Sequence, residues 1–146
     1  SLAMESLFMR LRVMGLNGYL LKRGSLTLQE QARGITPDDL IITSALPSYV
    51  SEVTEVCEFC NGKEIPIVTI TDSPAAPVCR FAQLSFYVSA KSPTFGSSII
   101  GPLFLVHVLT SVLAISMGER ARKALEEQTA FLHDTRIFHP IFGLKY

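Results

Sequence analysis

The sequence predicts an α/β domain: a three-layer sandwich with a mainly parallel sheet between two sets of helices. Two observations carry this. Short, continuous apolar runs recur along the chain at Leu40 to Thr43, Ile65 to Ile70 and Leu84 to Val88, and such runs suit strands covered on both faces. Helical patterns alternate with them, and strand–helix–strand order implies crossover connections and parallel pairing.

The elements follow in order. Leu2, Leu7, Leu11 and Met14 recur at helical spacing, with Arg10 and Arg12 between them and Gly15 as a stop, so residues 2–14 read as a helix. Tyr19-Leu20-Leu21 reads as a short strand and Leu28 to Ala32 as a short helix. Thr36-Pro37-Asp38-Asp39 is a turn with proline in its second position. After the strand at 40–43, Ser48 opens a helix whose apolar face carries Val50, Val53, Cys57 and Cys60, and Asn61-Gly62 ends it.

The strand at 65–70 tolerates Pro66 near its start. A turn-rich stretch from Thr71 to Pro77 leads into a short helix through Cys79 and Ala82, and then to the strand at 84–88. Ser89 to Gly96 is a loop. Residues 98–116 read as a long buried helix. Residues 118–132 read as an amphipathic one, with Glu119–Lys123 and Arg122–Glu126 spaced for surface pairing.

Size and composition bound the function. The 146 residues suit one domain, residues 1–146. With 48% hydrophobic and 18% charged residues, the chain has the composition of a packed core and not of a disordered segment. A formal net charge of zero argues against binding a phosphate backbone, which requires clustered cations. Three cysteines, Cys57, Cys60 and Cys79, and no signal peptide point to a reducing, cytoplasmic compartment. The apolar run Ile99 to Ile115 is short for a bilayer and contains Pro102, His107, Thr110 and Ser111. It is expected in a protein core, with no membrane.

Ligands of parallel sheets sit outside the carboxyl ends of the strands, which directs attention to Ser44–Ser48 and Thr71–Pro77. Thr43-Ser44-Ala45-Leu46-Pro47-Ser48-Tyr49 leaves a strand and enters a helix N-terminus, where free N–H groups and the helix dipole favour an anion. Ser44, Ser48 and Ser51 offer hydroxyls to it; equally, Ser48 serves as a plain helix cap. Asp72 either meets ligand hydroxyls or caps its own turn.

Cys57-Glu58-Phe59-Cys60 lies at the wrong end of its helix for a redox dithiol and lacks a second ligand pair for zinc, so both thiols are expected buried and structural. His107 is expected to be a satisfied core histidine. His133, Asp134 and His139 cluster near the C-terminus, a weak metal pattern. No dinucleotide fingerprint, phosphate loop or nucleophile elbow is present, and no cofactor or metal is expected.

Four stretches together carry a resemblance. These are Met9-Arg10-Leu11-Arg12-Val13-Met14-Gly15, Asp39-Leu40-Ile41-Ile42-Thr43-Ser44, Ile70-Thr71-Asp72-Ser73-Pro74-Ala75-Ala76-Pro77, and Gly96-Ser97-Ser98-Ile99-Ile100-Gly101-Pro102-Leu103. In order and spacing they resemble the sugar isomerase (SIS) domain of RpiR-type transcriptional regulators, over most of residues 3–132. Leu46 and Pro47 stand where that family's phosphate loop has small or polar residues.

The resemblance implies a non-catalytic effector domain that binds a sugar phosphate and pairs as a homodimer, with the helix 98–116 supplying contacts. Ser44, Ser48, Tyr49, Ser51 and the N–H groups of residues 48–51 would hold the phosphate, and Thr71 and Asp72 would line the pocket. It also implies an N-terminal helix-turn-helix domain that meets DNA, and a first strand with a Gly/Ser loop ahead of the first helix; neither is expected within these 146 residues. Without that strand the pocket lacks part of its wall, and weak or no sugar-phosphate binding by this chain is expected. Two rivals remain. One is a sugar-phosphate isomerase, for which Glu52 and His107 are the candidate acid–base groups. The other is a dimerisation module with a vestigial pocket. The apolar end, with Phe138, Ile141, Phe142 and Tyr146, is expected to be a swapped arm or a cover over the sheet.

Overall fold

A computed structural model of the chain describes residues 1–135. The β-branched runs form three strands, β1 (Ile41–Ala45), β2 (Ile67–Thr71) and β3 (Leu84–Tyr87), all parallel and in the order β1-β2-β3. Ile41 is opposite Ile67 and Ala45 opposite Thr71; Val68 is opposite Leu84 and Ile70 opposite Phe86. Five helices flank them: α1 (Leu2–Val13), α2 (Leu28–Ala32), α3 (Ser51–Gly62), α4 (Ile100–Met117) and α5 (Glu119–Asp134). A short 3-10 helix, Pro77–Arg80, precedes β3.

Strand alternation sends side chains into two separate cores. On one face Ile67 and Ala45 pack with Val56, Cys57 and Cys60 of α3, with Ala32 of α2 and with Val78. On the other, Ile70 packs with Ala3 and Leu7 of α1 and Val106 of α4. Ile65, Ile67 and Ile70 are fully buried, each worth about 1.5–3 kcal/mol of transfer free energy. The expected three-layer α/β sandwich is therefore the observed one. Among the described residues β1 pairs with no strand on its outer side.

Helix ends follow local chemistry. Thr27 and Glu30 form a reciprocal capping box at the start of α2. The Gly15 N–H donates to Arg12 O and the Leu16 N–H to Leu11 O, while Gly15 takes φ +80°. This doubly bonded left-handed stop is the one expected after α1. The same pattern closes α3, but Glu64 occupies the left-handed position at φ +59°, two residues beyond the expected stop.

Several expectations are corrected. Tyr19-Leu20-Leu21 is not a strand: Tyr19 is almost fully exposed, and no ladder forms there. Ser48 does not open the helix. α3 starts at Ser51, with Val50 as its N-cap and no side-chain cap. α4 is not a buried helix: Pro102, Val106 and Thr110 are buried, whereas Ile100, Phe104, Val112 and Ile115 stand 61–80% exposed. By length and composition α4 is also apolar enough to cross a membrane. His107 is exposed, with Arg10 Nη2 2.7 Å from its Nδ1. Arg122 pairs with Glu126 as expected, but Glu119 pairs with Arg122 and not with Lys123. Residues 137–146, including His139, lie outside the described residues, and so do the arm expected there and the full His133, Asp134, His139 cluster.

Candidate functional site

The carboxyl ends of all three strands open on one cavity. After β1, Leu46-Pro47-Ser48-Tyr49 makes a tight turn closed by the Tyr49 N–H on Leu46 O at 3.0 Å. Pro47 takes the second position and Ser48 the third, at φ +83°. That is the arrangement of a type II turn, whose third position normally requires glycine. A non-glycine residue held there stores backbone strain.

After β2, Asp72 stands at the rim. It is held from behind by the Tyr49 hydroxyl, which donates to Asp72 Oδ1 at 2.7 Å. That bond, with partial burial second, pushes the Tyr49 hydroxyl above its ordinary pKa. After β3 the chain forms a loop pinned at its base, where the Ser98 N–H donates to Ala90 O at 2.9 Å. Ser97 Oγ donates to Pro47 O at 3.3 Å and ties this loop to the turn after β1. The first turn of α4 approaches closely as well: a Cβ on Gly101 would lie 2.6 Å from Ser89 O, so glycine is required there.

The cavity is open to solvent and measures about 390 Å³. Its polar lining is Ser48, Asp72, Ser89, Lys91, Ser92 and Ser97. The lining residues carry four hydroxyls, one ammonium and one carboxylate. Such a set offers charge and hydrogen bonds to an anionic, hydroxyl-rich molecule.

Of the residues expected at the site, Ser48 and Asp72 line the cavity, and Tyr49 stands behind Asp72. Thr71 is fully buried, and its hydroxyl donates to Ala45 O at 2.6 Å. Ser44 sits half-buried in β1, and Ser51 is exposed at the first position of α3; neither is among the lining residues. Ser89, Lys91, Ser92 and Ser97 were missed by the sequence reading. The signal for them was available, because their loop leaves the carboxyl end of the third strand as the two watched loops leave the first and second.

Other candidate chemistry lies elsewhere. The Glu52 carboxylate accepts from the Leu28 N–H at 3.1 Å and pairs with Arg23, and these partners, in that order, lower its pKa. Cys57 and Cys60 are buried; desolvation pushes Cys57 up to about 12 and raises Cys60. They are therefore held as thiols at neutral pH. Among the described residues no group of three His, Cys, Asp or Glu side chains is placed to hold a metal ion.

Comparison with known proteins now bears on this geometry. The family model of the SIS domain matches residues 7–117. The chain belongs to the SIS-domain family. Among solved structures, the sugar isomerase domain of an RpiR transcription factor from Sphaerobacter thermophilus superposes with a TM-score of 0.83 at 22% identity, over 88% of this chain and 72% of that one. The Vibrio vulnificus NanR protein, complexed with ManNAc-6P, superposes with a TM-score of 0.79 at 19% identity, over 94% of this chain and 53% of that one. This SIS chain thus spans about half the length of NanR. A structure described as a hypothetical protein gives a TM-score of 0.63 at 16% identity, over 86% of this chain and 70% of that one. A search of curated proteins gives no match. At these identities the structural likeness establishes the shared fold.

Proposed function

We propose that this SIS domain is the effector-sensing part of a transcriptional regulator, that it binds a sugar phosphate in the cavity at the strand ends, and that it does no chemistry on it. The observation that carries this is the lining: Lys91 and four serine hydroxyls beside a single carboxylate, Asp72. Lys91 and the Ser48 turn suit a phosphate, and Asp72, with one oxygen engaged by Tyr49, suits sugar hydroxyls. NanR, a protein of the same fold, is complexed with ManNAc-6P, and this supports a phosphorylated sugar as the ligand class.

A base and an acid are needed for aldose–ketose isomerisation. Glu52 is engaged by Arg23 and Leu28, and His107, exposed on α4, stands beside Arg10 of α1. Neither lines the cavity, which favours sensing over catalysis. DNA contact is assigned to a separate helix-turn-helix domain, in keeping with the neutral charge of this chain. The compartment that fits such a regulator is the cytoplasm.

The outer stripe of α4 supports a homodimer. Ile100, Phe104, Val108, Val112 and Ile115 are exposed along one face of an 18-residue helix that carries no charged group. Exposed apolar side chains clustered in this way are typical of interaction surfaces, and in a two-fold pair the partner would present the same stripe to it.

The test is a thermal-shift screen of the chain against hexose and hexosamine phosphates, their unphosphorylated parents and inorganic phosphate. A ligand that binds only the folded state raises the melting temperature. The reading predicts a shift with at least one sugar phosphate and none with its parent sugar. A flat response to every compound at millimolar concentration counts for the vestigial-pocket reading.

A further inference from the structure

The peptide unit between Pro47 and Ser48 presents the wrong end to an anion. Its carbonyl oxygen, Pro47 O, accepts from Ser97 Oγ at 3.3 Å, and Pro47, Ser48 and Ser97 all line the cavity. A carbonyl oxygen on that side repels a phosphate, whereas an N–H binds it. The same unit carries the strain noted above, with Ser48 at φ +83°. Among the described residues no backbone carbonyl accepts from the Ser48 N–H. Resting on the site reading above, we infer that this peptide unit turns over when a sugar phosphate enters, passing from a type II to a type I turn. The Ser48 N–H then becomes a phosphate donor, and the released Ser97 hydroxyl becomes another.

The movement is small and local. Types I and II differ by rotation of the central peptide: ψ of the second residue goes from about +120° to about −30°, and φ of the third from about +80° to about −90°. The Tyr49 N–H on Leu46 O, at 3.0 Å, closes either form. Proline suits the second position of both, so Pro47 does not block the change. Type I also takes Ser48 to negative φ and relieves its strain. Against this, type I breaks the bond from Ser97 Oγ to Pro47 O, which holds the carbonyl in the free chain. Pro47 and Ser48 are both exposed, so little packing opposes the rotation. A ligand shifts such an equilibrium only through different contacts with the two forms. A phosphate has that difference, because it meets a carbonyl oxygen in one form and an N–H in the other. The parent sugar lacks the charge and leaves the turn as it is.

The experiment follows one Overhauser cross-peak in the labelled full chain, between the Pro47 Hα and the Ser48 amide hydrogen. These hydrogens face each other when the second turn residue has ψ near +120° and turn apart in type I. A strong cross-peak is expected in the free chain. A severalfold weaker one is expected once inorganic phosphate, or a hexose or hexosamine phosphate, has shifted the Lys91 amide to saturation. A cross-peak already weak in the free chain, or undiminished at Lys91 saturation, overturns the inference and leaves the site reading standing. No Lys91 shift with any of these compounds removes both. Affinity gives a second readout. Ser48→Thr keeps the hydroxyl, but a β-branched residue disfavours positive φ more strongly, so this variant is expected to bind the same compound severalfold more tightly. Equal or weaker binding contradicts the turnover of the peptide.

Discussion

The Tyr49 hydroxyl donates to Asp72 Oδ1 at 2.7 Å, joining the segment after β1 to the end of β2 behind the cavity wall. Asp72 is thereby presented to the cavity with one oxygen already engaged, and its orientation depends on Tyr49. Tyr49→Phe is expected to weaken sugar-phosphate binding severalfold while leaving the fold unchanged by circular dichroism. Titration of wild type and variant with one ligand checks it; equal affinities would show that the bond is structural only.

Ser48 and Glu64 are the two non-glycine residues at positive φ among the described residues, at +83° and +59°. Holding an L-residue there costs roughly 1 kcal/mol. Ser48→Gly and Glu64→Gly are each expected to raise stability by about that amount in urea unfolding. Glu64 is remote from the cavity lining, so it isolates the backbone effect; any loss of ligand affinity unique to Ser48→Gly then reports the lost hydroxyl.

The sequence pattern revealed the three strands of the sheet, their parallel pairing and the three-layer arrangement, because β-branched runs between helical periods admit few other packings; the short run Tyr19-Leu20-Leu21 was too brief to carry the same signal and is no strand. It did not reveal which side of α4 is covered. That helix is apolar on almost every face, so no amphipathic contrast separates the side on the sheet from the side in water. Ser48 was misread because a serine before a helix is the usual cap; here Pro47 forces a turn first, and the helix starts at Ser51. Lys91 carries no sequence signal because a lysine among serines in a loop has no periodic signature, and its place in the cavity lining emerges only when the loop is pinned back against Pro47.

The exposed stripe of α4 makes the oligomer testable. Phe104 is 69% exposed, so Phe104→Asp is expected to change monomer stability by less than about 0.5 kcal/mol. Light scattering after gel filtration is expected to report a dimer for wild type and a monomer for the variant. A dimer in both would move the interface elsewhere.

Glu52 holds the start of α3 to the loop before α2, and its pKa is lowered first by the Leu28 N–H and then by Arg23. A depressed carboxylate pKa contributes stability above the unfolded value, about 4.3 for Glu, and that contribution is lost as pH falls through the folded pKa. Urea midpoints measured against pH are expected to fall less steeply below about pH 4.3 in Glu52→Gln than in wild type. Superimposable acid limbs would contradict the linkage.

The central claim, a phosphate-dependent sugar site at the strand ends, is tested most directly by nitrogen–proton correlation spectra of the labelled chain during titration, which register weak binding residue by residue. The account predicts that a sugar phosphate moves the amides of Ser48, Asp72, Lys91 and Ser97, that the unphosphorylated sugar does not, and that Lys91→Ala weakens the response at least severalfold. No movement at those residues, or equal movement with the parent sugar, would contradict it.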